Sequence, residues 1–314
     1  MGIWPDFIVC RSDYPVDESM REKVALFCNV KKEHVLQNLD APSLYEVPIM
    51  LEEEHLAQAV CDCLHLPCPK PDLMDWMEML DNMKAASKAV DIAIVGIYVA
   101  LQDAYLSVAE ALKHGGIANR VNVNIHWIEA EDITKENVQE YLGNMHGILV
   151  PGGFGKRGTD GKIEAICFAR EQGIPYLGIC LGMQLAIVEF AKNVLKISDA
   201  ASIELEPETT NPVIALMPEQ NGVENLGGTL RLGAYPCEIK SSSLAEKLYE
   251  KSFISERHRH RYEVNNDYRT RLEEKGMVLS GLSPDKRIVE MIELPNHPFF
   301  IATQAHPEFK SRPN

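Results

Sequence analysis

At 314 residues the chain is long enough for about two ordinary domains, and 46% hydrophobic against 25% charged residues is the balance of a globular protein with a real core. A net charge of −15 argues against a non-specific grip on nucleic acid or an anionic membrane surface, because both need clustered Lys and Arg. The eight cysteines keep no framework spacing, and neither a signal peptide nor a bilayer-spanning apolar run is visible, so a reduced, cytoplasmic setting is expected.

In chain order, residues 5–10 read as a short strand. Residues 17–28 read as a helix capped by Asp17, with Met20, Val24 and Phe27 on one stripe. Residues 52–66 read as one further helix with acidic residues in its first turn. Its end carries "CDCLHLPC" (61–68), which lacks the paired knuckles of a zinc ribbon and is expected to hold buried free thiols, with no metal. Three prolines in residues 67–71 then break regular structure and mark a linker.

From residue 90 strands and helices alternate. Strands are expected over 90–100, 120–130, 146–153 and 174–180, and helices over 103–116, 135–144, 162–173 and 181–195. This is the pattern of an α/β domain with a mostly parallel central sheet flanked by helices. Shorter strands follow at 228–239, 277–283, 287–294 and 299–306, so part of the sheet is expected to be antiparallel. The boundary is placed to give an incomplete α/β segment over 1–83, linker included, and a second domain over 84–314.

The chemistry concentrates at Gly178-Ile179-Cys180-Leu181-Gly182, a Gly-x-nucleophile-x-Gly sequence between an expected strand and an expected helix. Turning from strand to helix at one residue strains the nucleophile's backbone and demands small neighbours. At the helix start, unpaired N–H groups and the helix dipole favour a thiolate, and the Leu181 N–H would face a developing oxyanion. A proton shuttle is available in "ATQAHPEF". There His306, biased to extended geometry by Pro307, shares a face with Glu308, which would orient it as in a nucleophile–base–orienter triad. The glycine loop "PGGFGKRG" (151–158) offers the second oxyanion donor at a strand end. Any one of these alone is as well explained by a buried thiol, a structural histidine or a plain turn.

Together, "LVPGGFGKRG", "PYLGICLGMQLA", "ERHRHRYEVN" and "QAHPEF" resemble the class I glutamine amidotransferases, and within them the glutaminase domain of the CTP synthase family. "GIWPDFIVCRS", "KVALFCNV" and "YEVPIML" resemble the end of that family's synthetase domain, so the resemblance covers nearly the whole chain. It implies that Cys180, His306 and Glu308 hydrolyse L-glutamine to glutamate and ammonia, with Gly153 and Leu181 as oxyanion donors. It implies a glutamine pocket of Gly153, Leu181, Gly182, Met183, Gln184, Glu204 and Arg261. For the synthetase half it implies nucleotide contacts at Lys23 (UTP and CTP) and at Arg11 with Leu39, Asp40 and Ala41 (ATP). In the whole enzyme it implies ATP and Mg2+, amination of UTP to CTP, a homotetramer, and GTP as activator, with Arg259 and its neighbours as a GTP contact.

Two departures qualify this. The phosphate-binding glycine loop and magnesium carboxylates of the synthetase half are absent, no Gly-x-x-x-x-Gly-Lys-Ser/Thr occurs, and the chain stops at "HPEFKSRPN". It therefore reads as a fragment with no cofactor of its own that cannot make CTP alone. Ile97, Ala100 and Gln102 stand where the family usually has lysine, glutamate and proline, which bears on effector binding or domain coupling. The competing readings are the glutaminase of another amidotransferase and a non-catalytic scaffold.

Overall fold

A computed structural model describes residues 2, 4–216 and 231–313. The chain divides into two compact units, Met1–Lys84 and Ala85–Asn314.

In the first unit, strand β1 (Ile8–Ser12) is followed by helix α1 (Glu18–Cys28), whose Asp17 cap accepts the Met20 N–H at 2.9 Å. Strand β2 (Val35–Leu39) pairs in parallel with β1. The helix expected over 52–66 is instead two, α2 (Val47–Glu53) and α3 (Leu56–Leu64), separated where His55 takes a left-handed φ of 58°. Glu54, at that break, is anchored by Arg21 through two bonds of 2.8 and 3.0 Å and by the Gln37 N–H. The expectation of buried thiols fails as well. Cys63 is exposed and Cys61 and Cys68 are half-buried, because the end of α3 faces outward, as Leu64 and Leu66 do. Irregular chain then leads to α4 (Met74–Lys84), which takes the last residues expected as linker.

The second unit is built on β3 (Lys88–Gly96), α5 (Leu106–Ala118), β4 (Val121–Glu129), α6 (Val138–Leu142), β5 (Gly147–Val150) and α7 (Thr159–Gln172). Strand β6 (Tyr176–Ile179), α8 (Leu181–Asn193), β7 (Ala200–Ser202) and β8 (Asn211–Leu216) follow. Then come β9 (Arg231–Ile239), α9 (Leu244–Tyr249), β10 (Phe253–His260) and β11 (Tyr262–Val264). The last elements are α10 (Arg269–Glu274), β12 (Val278–Leu282), β13 (Val289–Glu293) and β14 (Phe300–Thr303). The start of the strand expected over 228–239 lies outside the described residues.

Among the described residues nine strands form one mixed sheet in the order β10-β9-β12-β13-β14-β6-β5-β3-β4. From β14 to β4 every pairing is parallel, and from β10 to β14 every pairing is antiparallel. The residues explain the division. Strand β5 and the second half of β3 are unbroken apolar runs buried on both faces, as central parallel strands must be. Strand β4 alternates polar and apolar because it is an edge. A smaller sheet, β11-β8-β7, packs beside α8, and α8 is buried along Leu181–Ala191 within the main core. The architecture is the α/β sheet flanked by helices that the alternation predicts.

Candidate active site

Strands β5, β6 and β14 are parallel neighbours, so their C-terminal ends open on the same edge of the sheet, where α/β folds place their ligands. Strand β5 runs into the glycine loop, β6 into Cys180, and β14 into Gln304, Ala305 and His306.

Cys180 stands between β6 and α8 with φ 53° and ψ −102°, a strained backbone for a residue with a side chain. Its N–H donates to the Thr303 carbonyl at 2.7 Å, tying the turn to the neighbouring strand. The flanking glycines are steric necessities. A Cβ on Gly178 would meet the Tyr176 hydroxyl at 2.7 Å, and one on Gly182 would meet the Val150 carbonyl oxygen at 2.1 Å. Both lengths fall below any real contact, so the helix can approach the sheet only over glycine.

His306 follows β14, with its N–H on the Arg257 carbonyl at 2.7 Å and its Nδ1 2.8 Å from Glu308 Oε1. The pairing is not that of an extended segment, as the sequence suggests. His306 has φ −111° and ψ 78°, and Pro307–Lys310 form a 3-10 turn. Proline opens this turn and carries Glu308 back beneath the imidazole. Burial would lower the imidazole pKa, but hydrogen bonds to Cys180 and Glu308 outweigh it and lift His306 to about 10. This geometry favours the imidazolium form of His306, facing the Cys180 sulfur. Gly152 makes room for both groups, since a Cβ there would lie 2.8 Å from His306 Cε1 and 3.5 Å from Cys180 Cβ.

A cavity of about 250 Å³ opens beside Cys180, lined by Gly153, Phe154, Cys180, Leu181, Gln184, Glu204, His260, Arg261 and Tyr262. Pockets for drug-sized ligands run roughly 300–1,000 Å³, so this one suits a smaller molecule. Gly153 and Leu181 lie together, a Cβ on Gly153 falling 3.4 Å from Leu181 Cδ2. Burial raises the Glu204 pKa, while the Gly155 N–H, donating at 3.3 Å, and the charge of Arg261 hold it down. The Arg261 Nε is buried without a partner. The cavity thus holds a carboxyl group and a guanidinium beside the Cys180 sulfur. Behind Gly153 the fully buried ammonium of Lys162 lies 3.6 Å from where a Cβ would stand. Burial draws its pKa down to about 8, against the pull of Glu129.

Six of the residues singled out in the sequence therefore line this cavity: Gly153, Cys180, Leu181, Gln184, Glu204 and Arg261. Gly182 and Met183 are buried in α8 and do not line it. Phe154, His260 and Tyr262 are lining residues that sequence reading passed over, although each adjoins a residue it named. Arg259 is exposed, its guanidinium 5.6 Å from the centre of the Phe154 ring. Ile97 is buried against the glycine loop, where a Cβ on Gly158 would meet its Cγ2 at 2.6 Å; Ala100 and Gln102 are exposed. In the first unit, Arg11 pairs with Asp40 on an exposed surface, Leu39 and Ala41 flank that aspartate half-buried, and Lys23 projects from α1. These five do not enclose a nucleotide by themselves. Among the described residues no group of three or more His, Cys, Asp or Glu is placed to hold a metal ion, and no helix is long and apolar enough to cross a membrane.

Residues 100–314 match the family model for glutamine amidotransferase class-I, and residues 1–66 match that for the CTP synthase N-terminus. The whole chain aligns with the CTP synthase of Halalkalibacterium halodurans at 56% identity, covering 59% of that protein. It aligns with the CTP synthase of Pelotomaculum thermopropionicum at 58% identity, covering 58% of it. The chain thus spans less than two thirds of the curated relatives it matches. Among solved structures, the glutaminase domain of Trypanosoma brucei CTPS with bound acivicin is similar at 39% identity and a TM-score of 0.67. The match covers 71% of this chain and 88% of that one.

Proposed function

The chain belongs to the class-I glutamine amidotransferase family, and from that premise we propose that it is the glutaminase-bearing part of a CTP synthase, cleaving L-glutamine to glutamate and ammonia. The observation that carries this reading is the triad at one sheet edge. Cys180 is held in a strained elbow, His306 touches it, and Glu308 lies 2.8 Å from the far side of the imidazole.

Glutamine enters the cavity with its ammonium towards Glu204 and its carboxylate towards Arg261, whose buried Nε has no other partner. The Cys180 sulfur attacks the side-chain amide carbon, and the oxyanion forms beside the N–H groups of Gly153 and Leu181. As the C–N bond breaks, His306 gives its proton to the leaving nitrogen and ammonia departs. In the thioester the cysteine no longer carries charge, so its share of the upward push on His306 is gone. The imidazole can then take a proton from water, which attacks the thioester, releases glutamate and restores the thiol. One histidine thus serves as acid and then base because its partner changes charge between the two steps.

In the whole enzyme the ammonia aminates UTP to CTP at the expense of ATP with Mg2+. We assign this chain to a cytoplasmic homotetramer with GTP as activator. Lys23 and the Arg11 and Leu39–Ala41 region would contribute to the nucleotide sites, and Arg259 to the effector site. Among the described residues of the first unit no group of His, Cys, Asp or Glu is placed to hold the magnesium ion. The test is glutamate release from glutamine by the purified chain beside Cys180→Ala. Release that disappears in the variant supports the reading, while release that persists in it rules Cys180 out as nucleophile.

A further inference from the structure

A second side chain reaches the sulfur. Gln304 is fully buried at the end of β14, and its Nε2 lies 3.6 Å from Cys180 Sγ. Its direction is fixed by a chain of bonds that starts at a backbone carbonyl. The Tyr262 carbonyl can only accept, so the group 2.9 Å from it on Gln184 must be the amide Nε2. The same nitrogen, as donor, faces Gln304 at 3.1 Å and so requires the Gln304 oxygen there. What remains of the Gln304 amide, its NH2, is aimed at the nucleophile. On another side of the sulfur the Arg259 carbonyl lies 3.8 Å away, able to accept from a thiol but repelling a thiolate.

We propose that Gln304 is a further catalytic residue of the glutaminase reaction, an N–H donor that holds Cys180 as thiolate, with Gln184 as the positioning residue that keeps its amide the right way round. A thiol sulfur is a weak acceptor, and a thiolate draws a charge-assisted bond. A donor aimed at sulfur therefore favours the charged form and offsets the Arg259 carbonyl. Both hydrogens of Gln184 are committed to Tyr262 and Gln304 in this arrangement, so Gln184 serves the nucleophile as well as lining the substrate cavity.

This inference rests on Cys180 being the nucleophile, but its test needs no turnover. The pH dependence of iodoacetamide alkylation, read on the Cys180 peptide by mass spectrometry, is compared in the full chain, Gln304→Met and Gln304→Glu. Losing the donor is expected to raise the midpoint by about one pH unit, a tenfold fall in the thiolate-to-thiol ratio at any given pH. The near-isosteric Gln304→Glu should raise it further by placing a carboxylate against the sulfur. If Gln304→Met fails to fold by thermal melting, Gln304→Glu carries the comparison alone. A midpoint that stays put in a folded variant, or a wild-type Cys180 no more reactive than an ordinary thiol, overturns the proposal. Absence of glutamate release with a shifted midpoint would instead count against the glutaminase reading, while showing that Gln304 does act as donor to the Cys180 sulfur.

Discussion

Strands β6 and β14 are parallel neighbours that end side by side, yet they deliver their side chains by opposite means. The turn after β6 is enforced by exclusion. Cys180 is strained, and its neighbours Gly178 and Gly182 sit where no side chain would fit. The turn after β14 is held by attraction. His306 sits at an unstrained, negative φ, fixed by its N–H on Arg257 and its ring on Glu308. A thiol that must keep one fixed direction can be held by sterics alone. A residue that must gain and lose a proton needs partners that respond to its charge.

This contrast predicts different failures. The largest effect belongs to the attractive turn: Glu308→Gln should cut glutamate release by about 10⁴-fold, as loss of an orienting carboxylate does in comparable triads. Glu308 raises the His306 pKa, so without it burial pulls the imidazole down. The alkaline limb of the kcat profile should then move to lower pH while the melting temperature barely changes. An unmoved alkaline limb would remove Glu308 from the triad. Next comes the steric turn. Gly182→Ala should destabilise the second unit by about 3 kcal/mol, the upper range for overpacking, because its Cβ would press on the Val150 carbonyl. A denaturant melt matching wild type would mean that α8 can shift away from the sheet. Gly152→Ala, between the two turns, should have the smallest effect. It should displace the imidazole rather than the backbone-locked cysteine, lowering kcat about tenfold, or about 1.4 kcal/mol of barrier, while Cys180 still alkylates normally. Equal loss of alkylation would show the two turns to be no different in stiffness.

The same contrast explains what could be read in the sequence. The elbow is legible because sterics leave a mark on composition: only glycine fits at 178 and 182, and the flanking strand and helix are strongly patterned. The alternation of strands and helices from residue 90 is legible for the same reason, since central strands must be apolar on both faces. The His306 turn is half legible. The pair is visible, but Pro307 starts a 3-10 turn rather than extending the chain, because tertiary bonds to Arg257 override the local bias. Gln304 is passed over because a buried amide has no sequence signature; its meaning comes from Gln184 and Tyr262, 120 and 42 positions away. In the first unit, the break at His55 escaped notice because it is fixed by Arg21 and Gln37, distant in sequence.

One feature of the sheet sets the limits of all these substitutions. Strands β6 and β14 are in register from Tyr176 opposite Phe300 to Ile179 opposite Thr303, and the next residue, Cys180, bonds through its N–H to Thr303 as well. Adjacent strands keep a spacing of about 4.8 Å whatever their side chains. The peptide ladder is therefore a ruler between Cys180 and His306. Repacking the core can tilt or loosen the side chains at its end, but only a slip in register would change the length being measured.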